Sequence, residues 1–198
     1  MNTSSIRVIA GELKGRRIPT FPGRAIRPTP QRSREALFSI LNAHIQEATM
    51  VDLFAGTGAI GLEALSRGAA KVLFVEQNPL AGASIQHTLS RFKIPSSSRV
   101  LVEDVSLAIQ NSILLGWSPC DVIFLDPPYR LTNIQPLLHQ IEEADLIAPT
   151  GHIIYEHFHK TTPLLSIGKW TLTRTVRYGD TAFTFYQPLS QTTEGSDL

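Results

Sequence analysis

From residue 50 onward, short apolar segments alternate with longer amphipathic stretches, and this alternation constrains the fold most strongly. The apolar segments predict five strands, at residues 50–54, 71–75, 99–102, 122–125 and 152–155. The stretches between them predict four helices, at residues 59–67, 80–92, 105–115 and 134–144. Because this pattern is typical of a parallel sheet covered by helices on both faces, the chain is predicted to be an α/β protein.

The last part of the chain has a different pattern. Residues 170–176 and 182–187 alternate apolar and polar side chains around Tyr178-Gly179-Asp180, which predicts an antiparallel hairpin. Added to the five parallel strands, this hairpin gives a mostly parallel seven-stranded sheet within a main domain at residues 29–188. Residues 189–198 are mainly Ser, Thr, Gln and Gly, and they are predicted to form a disordered tail.

Residues 1–28 are predicted to form a small basic arm, in which a hairpin from Ile6 to Ile18 contains Gly11 and Gly15. The first 34 residues hold eight Arg or Lys and one acid, for a net charge of +7. The whole chain carries +1, so the other 164 residues sum to −6. A basic arm on an acidic body indicates an anionic partner, most naturally nucleic acid, and the alternative is a solvated basic surface.

A helix is predicted to begin after the arm, with Thr29 as its N-cap and Pro30 at the first helical position. Apolar side chains at helical spacing predict one face against the sheet: Ala36, Leu37, Ile40, Leu41 and Ile45. The rest of the composition predicts a cytoplasmic protein with no membrane partner. No apolar segment approaches the roughly 18 residues that span a bilayer, no signal peptide is recognisable, and the single cysteine, Cys120, excludes an intrachain disulfide framework.

Asp52 and three glycines mark a candidate cofactor site between the first parallel strand and its helix. Gly56, Gly58 and Gly61 have the spacing of the dinucleotide fingerprint, in which a missing side chain lets a ligand approach the backbone. That spacing alone also fits a nicotinamide dinucleotide. Asp52 favours a nucleoside sulfonium, because a carboxylate repels a pyrophosphate and attracts the ammonium group of a methionine moiety.

Two further acids follow the next two strands. Glu76 lies 18 residues after Gly58, where it can accept hydrogen bonds from ribose hydroxyls. Asp104 can accept a hydrogen bond from an adenine amine while the backbone of Val105 contacts the ring. Because the carboxyl ends of parallel strands share one edge of a sheet, these acids and Asp52 are predicted to line one crevice. The alternative is that each acid only caps the following helix.

The segment Asp126-Pro127-Pro128-Tyr129 follows an apolar strand and is the most specific signal in the sequence. The two prolines lack N–H groups and fix the backbone, so the turn is rigid and offers carbonyl acceptors. A target amine can donate one hydrogen to Asp126 and the other to the Pro127 carbonyl, while Tyr129 stacks on a base. These four residues therefore predict a catalytic site that aims an exocyclic amine at a sulfonium methyl group. The alternative is a simple turn with a surface tyrosine.

The two motifs together resemble the class I Rossmann-like methyltransferases that act on exocyclic amines. A closer resemblance is to the bacterial RsmD family, which methylates guanine N2 in small-subunit (16S) ribosomal RNA. It covers residues 6 to about 187 and is carried by Arg7-Val8-Ile9-Ala10-Gly11, Gly15-Arg16, Arg27-Pro28-Thr29-Pro30, Arg34-Glu35-Ala36-Leu37-Phe38, residues 61–69, Tyr155-Glu156 and Tyr178-Gly179.

This resemblance implies an S-adenosylmethionine-dependent methyltransferase domain at residues 29–188. No metal site is expected, because no further ligand has metal-like spacing beside His157 and His159. The resemblance implies cofactor binding by Asp52, Gly56, Gly58, Glu76 and Asp104, and amine positioning by Asp126 and Tyr129. It also implies RNA contacts by the basic segment, whose candidates are Arg7, Lys14, Arg16, Arg17, Arg27 and Arg34. The expected partner is ribosomal RNA within an assembling small ribosomal subunit.

Three other functions fit parts of the pattern. A DNA adenine-N6 methyltransferase uses the same Asp-Pro-Pro-Tyr chemistry. Reading duplex sequence usually needs a sizeable recognition element, however, and no insertion here is long enough, whereas structured RNA can be recognised by shape and exposed bases. A non-enzymatic RNA-binding module and a nicotinamide-dependent oxidoreductase are the remaining alternatives.

Overall fold

A computed structural model describes residues 6–20, 29–111, 114, 116–128, 131 and 133–189. Its strands are β1 (Ile6–Arg7), β2 (Arg17–Ile18), β3 (Thr49–Leu53), β4 (Lys71–Val75), β5 (Arg99–Leu101), β6 (Cys120–Leu125), β7 (Ile147–Phe158), β8 (Ser166–Ile167), β9 (Trp170–Tyr178) and β10 (Thr181–Pro188). Its helices include α1 (Gln31–Ile45), α2 (Ala59–Ser66), α3 (Pro79–Phe92), α4 (Val105–Ala108) and α5 (Gln135–Glu143).

Eight of these strands form one sheet in the order β5-β4-β3-β6-β7-β10-β9-β8. The pairs from β5 to β7 are parallel, and the pairs from β7 to β8 are antiparallel. The predicted α/β fold, with a mostly parallel sheet and a C-terminal antiparallel hairpin, is confirmed. The predicted number of seven strands is wrong, because the two-residue β8 pairs with the edge of β9 and is too short to give an alternation pattern.

Helices cover both faces of the sheet, because consecutive strand residues point to opposite sides. Met50, Val72 and Phe74 belong to the core on the side of α1, α2 and α3. Val51 and Leu73 belong to the core on the side of α4 and α5. The carboxyl ends of the parallel strands open between these two layers, which is where ligands bind in open α/β sheets.

The N-terminal hairpin packs on the main body through α2. Its strands β1 and β2 are antiparallel, as predicted. The backbone N–H groups of Ile9 and Ala10 donate to the Glu63 carboxylate at 2.7 and 3.1 Å. Gly11, at φ +79°, lies so close to α2 that a Cβ there would be 1.6 Å from the Ser66 carbonyl oxygen. The hairpin is therefore held against the C-terminal part of α2.

Two local predictions are wrong. Thr29 is not the N-cap of α1, because the helix begins at Gln31 and the Thr29 hydroxyl donates to the Glu156 carboxylate instead. The helix predicted at residues 105–115 is not continuous, since α4 ends at Ala108 and a turn follows it.

The predictions for Arg27 and Tyr129 lie outside the described residues. Those for the arm at residues 1–28, the helix at residues 105–115 and the tail at residues 189–198 lie partly outside them. Within the described part of the chain, none of the helices has the length and apolar character that crossing a membrane requires.

Candidate active site

The loop between β3 and α2 has the backbone conformation that its glycines predict. Phe54, Gly56 and Gly58 all have positive φ, at 73, 56 and 76°. Gly58 turns the chain into α2, and an added Cβ there would lie 3.2 Å from the Ile85 side chain. Two of these residues, Phe54 and Gly56, line the large cavity at the carboxyl edge of the sheet, whereas Gly58 shapes the loop from outside that lining.

Asp52 and Glu76 hold this loop in place as well as lining the cavity. The Asp52 carboxylate, which is 1% exposed, accepts a hydrogen bond from Gly61 N–H at 3.1 Å in the first turn of α2. Glu76 accepts from Gly56 N–H at 2.8 Å and from Asn78 N–H at 2.7 Å, so it ties the loop to the end of β4. Each carboxylate oxygen has more than one lone pair, so a ligand can still donate to both groups.

Asp104 does what the capping alternative describes, and it also lies at the cavity. It is the N-cap residue of α4, and its Oδ1 accepts from Ser106 N–H at 2.9 Å. Asp104 and Val105 both line the cavity. Capping and ligand binding are compatible here, because the cap engages only one of the two carboxylate oxygens.

The cavity brings the two predicted halves of the site together. It has a volume of about 1250 Å³, and the predicted site residues that line it are Asp52, Gly56, Glu76, Asp104, Val105, Asp126, Pro127 and Pro128. Among the described residues, none donates a hydrogen bond to the Asp126 carboxylate. The acids from four successive strand ends therefore share one space with the rigid proline turn.

Electrostatics in the cavity disfavour several ionised carboxylates at once. Burial, together with repulsion from Asp126 and Glu76, raises the pKa of Asp52 to about 7, even though the hydrogen bond from Gly61 N–H lowers it. Burial, followed by repulsion from Glu156, raises the pKa of Asp126 well above its ordinary value. Burial also raises the pKa of Glu156 to about 7. A cationic ligand or a set of hydrogen-bond donors would relieve this strain.

Glu156 and Thr29 are site residues that sequence reasoning missed. Both line the cavity, and the Thr29 hydroxyl donates to Glu156 Oε2 at 2.8 Å. A signal for Glu156 was present, because it is an acid directly after a predicted apolar strand, like Asp126. Glu156 directly follows the strand predicted at residues 152–155, but no glycine loop or proline turn marks that strand end as a site; in the structure it lies within β7.

The described residues among the predicted RNA contacts fall into three groups, which are exposed, partly buried and fully buried. Arg7, Lys14 and Arg17 are exposed on the hairpin. Arg16 is partly buried, because its guanidinium lies 4.2 Å from the centre of the Phe92 ring and donates to carbonyl oxygens at the end of α3.

The prediction that Arg34 contacts RNA is wrong. Its side chain is only 2% exposed and donates to the Arg7 carbonyl oxygen at 3.0 Å. Burial lowers its pKa, against the raising effect of Glu63 and Glu35. Arg34 therefore supports the hairpin from inside the protein.

The sheet order, with a cavity at the carboxyl edge of the parallel strands, defines a Rossmann-like fold with a candidate methyltransferase site. The family described as conserved hypothetical protein 95 has a model that matches residues 6–187, and the chain belongs to this family. The predicted resemblance to the RsmD family is confirmed by relatives that carry the corresponding name.

Two of these relatives are named ribosomal RNA small subunit methyltransferase D. The one from Haemophilus influenzae is 32% identical and matches over 92% of this chain and 93% of its own length. The one from Escherichia coli is 30% identical, over 98% of this chain and 96% of its own length.

Solved structures show the same fold. The YhhF protein of Escherichia coli has a TM-score of 0.79 and 30% identity, over 93% of this chain and 98% of that one. An RNA methyltransferase from Salinibacter ruber, solved in complex with S-adenosyl-L-homocysteine, has a TM-score of 0.62 and 19% identity, over 82% of this chain and 95% of that one. The second likeness shows the fold alone.

Proposed function

We propose that this protein transfers a methyl group from S-adenosylmethionine to the exocyclic N2 of a guanine in small-subunit ribosomal RNA. The observation that carries the proposal is that the turn from Asp126 to Pro128 lines the same cavity as Asp52, Glu76 and Asp104. The family supports the choice of substrate, since relatives about 30% identical are named ribosomal RNA small subunit methyltransferase D.

The charges in the cavity favour S-adenosylmethionine over a nicotinamide dinucleotide. Asp52, Asp126 and Glu156 have raised pKa values because they are buried and repel neighbouring acids. A sulfonium and an ammonium group offset this repulsion, whereas a pyrophosphate adds to it. The residues present therefore fit this cofactor.

Each cofactor-binding residue has a distinct role in the proposal. Asp52 accepts from the ammonium group, directly or through water. Glu76 accepts from the ribose hydroxyls, and Asp104 accepts from the adenine amine while the Val105 backbone contacts the ring. Gly56 and Gly58 keep the loop free of side chains that would fill this space.

Methyl transfer depends on how the chain holds the target amine. When bound, S-adenosylmethionine supplies a methyl group and takes back the carbon–sulfur bonding electrons on transfer. Asp126 and the Pro127 carbonyl each accept one hydrogen bond from N2, which localises its lone pair away from the ring. That lone pair forms the new nitrogen–carbon bond, and N2 then loses one proton to Asp126 or to water. Tyr129 is the proposed stacking partner of the base.

The hairpin provides the proposed RNA contacts. Arg7, Lys14 and Arg17 are exposed and lie on a hairpin that α2 holds firmly, so they can neutralise phosphates at a fixed distance from the cavity. The partner in this proposal is ribosomal RNA in an assembling small subunit, in the cytoplasm. The target base is turned out of its stack to reach Asp126.

The experiment is transfer of labelled methyl from S-adenosylmethionine to three substrates: small ribosomal subunits from cells that lack this enzyme, naked small-subunit RNA, and duplex DNA. Asp126→Asn is the test variant, and Glu47→Gln, an exposed acid away from this cavity, is the matched control. We expect label in ribosomal RNA with the wild type and with Glu47→Gln only. Label in DNA and none in RNA would instead identify a DNA methyltransferase.

A further inference from the structure

Glu156 lies beside Asp126 at the carboxyl edge of the sheet. Strands β6 and β7 are parallel, and their register pairs Leu125 with Tyr155. The residue after each of these two is an acid: Asp126 follows Leu125, and Glu156 follows Tyr155. Both line the cavity. Repulsion from Glu156 contributes to the raised pKa of Asp126, which is consistent with this close placement.

The Glu156 carboxylate is held in one orientation. The residue is 8% exposed, and its Oε2 accepts the hydrogen bond from the Thr29 hydroxyl at 2.8 Å. Thr29 is equally buried. Among the described residues, no other group donates to Glu156 and no Lys, Arg or His forms an ion pair with it. Oε1 therefore retains its full capacity to accept a hydrogen bond from a ligand.

A buried carboxylate without a cation lowers stability unless donors satisfy it. The Watson–Crick edge of guanine supplies such donors in sequence, the N1–H followed by the two hydrogens of N2. Adenine has no N2 amine and presents N1 as an acceptor. Two adjacent carboxylates thus match the donor edge of guanine and oppose the lone pair of an unprotonated N1.

We propose that Glu156 determines the specificity for guanine by accepting the N1–H of the target base, while Asp126 accepts from N2. This inference rests on the proposed function. Thr29 is a positioning residue in this scheme, because its hydroxyl fixes Oε2 and leaves Oε1 for the base. A site that hydrogen-bonds a donor rejects an analogue without it, since the acceptor is then left unpaired.

The test uses 2-aminopurine, which keeps the N2 amine but has an unprotonated N1. Once the methylated guanine is mapped, small subunits are reconstituted with guanine or 2-aminopurine at that position, and kcat/KM for methyl transfer is measured on each. For the wild type we expect a preference for guanine of about 10- to 100-fold, because 2-aminopurine leaves the Glu156 acceptor unpaired. Glu156→Gln should lower the rate with guanine and reduce or reverse this preference. In that variant, the Thr29 hydroxyl holds the amide oxygen and turns the NH₂ group toward N1.

Thr29→Val gives an independent test, because it removes the hydroxyl and keeps the shape of the side chain. It should reduce the preference for guanine by a smaller factor than Glu156→Gln, and Glu47→Gln should leave the preference unchanged. If Glu156→Gln does not fold, the Thr29→Val ratio decides the question. Equal losses on both bases, with an unchanged ratio, would overturn the inference. If the wild type does not methylate the small subunits that carry guanine at this position, the proposed function itself would be contradicted.

Discussion

Glu63 and Asp126 are both carboxylates largely shielded from solvent, and they differ in which groups supply their hydrogen bonds. Glu63 is 0% exposed and accepts from Ile9 N–H, Ala10 N–H and the Arg67 guanidinium, at 2.7, 3.1 and 2.7 Å. Asp126 accepts from none of the described residues, and burial and Glu156 raise its pKa. The first acid is satisfied by the fold, whereas the second is left for a ligand.

This difference separates structural acids from functional acids better than burial alone. An acid that the fold satisfies contributes to stability, and removing it leaves buried donors unpaired. An acid that the fold leaves unsatisfied lowers stability in the free protein, which is an expected property of a preorganised catalytic site. The following predictions test that separation, from the largest expected effect to the smallest.

Asp126→Asn should lower kcat/KM for methyl transfer by about 100- to 1000-fold, because an uncharged amide oxygen is a weaker acceptor than a carboxylate and cannot take up the proton. The same variant should be no less stable than the wild type at pH 8, because it removes a repelled buried charge. Thermal unfolding alongside the transfer assay checks both parts. A variant that loses activity only because it loses stability would contradict the comparison.

Glu63→Ala should show the opposite behaviour and lower the free energy of unfolding by about 3 kcal/mol. The Ile9 and Ala10 N–H groups lose their acceptor, and buried Arg34 loses a nearby negative charge. Urea denaturation at pH 7 measures the loss. Glu12→Ala on the exposed surface of the hairpin is the control and should be neutral. A neutral Glu63→Ala would show that the hairpin is not held by this acid.

Stability of the ligand-free protein should fall as pH rises from about 5 to 8, apart from contributions of other groups. Asp52 and Glu156 have pKa values of about 7 because of burial, so the folded state binds more protons than the unfolded state in this range. The stabilising contribution of the protonated groups is full below their ordinary pKa values and is lost as pH passes through 7. Asp52→Asn should make the decrease shallower, as thermal unfolding across this pH range can measure. An identical dependence of stability on pH in Asp52→Asn would contradict the raised pKa of Asp52.

Lys14→Ala and Arg17→Ala should each weaken binding of small-subunit RNA by a few fold, and should lower the slope of log affinity against log salt by about 1. Both side chains are exposed, so their loss should leave the unfolding free energy nearly unchanged. Arg34→Ala should instead lower the unfolding free energy, because this side chain is buried and supports the hairpin. Filter binding over a salt series, with urea denaturation of the same variants, distinguishes the two. A salt slope that neither hairpin variant changes would place the RNA elsewhere.

The sequence predicted correctly which acids line one cavity, because strand order decides where they lie. Acids after successive apolar strands must meet at one edge of a parallel sheet, so Asp52, Glu76, Asp104 and Asp126 could be placed together without coordinates. Glu156 also directly follows a predicted strand, but it was missed because no glycine loop or proline turn accompanies it.

Other errors arose where burial decides the role of a residue. Arg34 belongs to a basic segment, and charge counting cannot show that α1 turns this side chain beneath the hairpin. Thr29 has the residue type and position of an N-cap, but a tertiary partner, Glu156, takes its hydroxyl. The strand β8 has two residues and carries no periodicity that a sequence could reveal.

The most direct test of the central claim is the identity of the methylated nucleoside. Small subunits from cells that lack this enzyme would be incubated with S-adenosylmethionine and either the wild type or Asp126→Asn, and their RNA would be digested and analysed by mass spectrometry. The account predicts N2-methylguanosine at one position with the wild type and almost none with Asp126→Asn. Methylation at another atom or base, or equal N2-methylguanosine with both proteins, would contradict it.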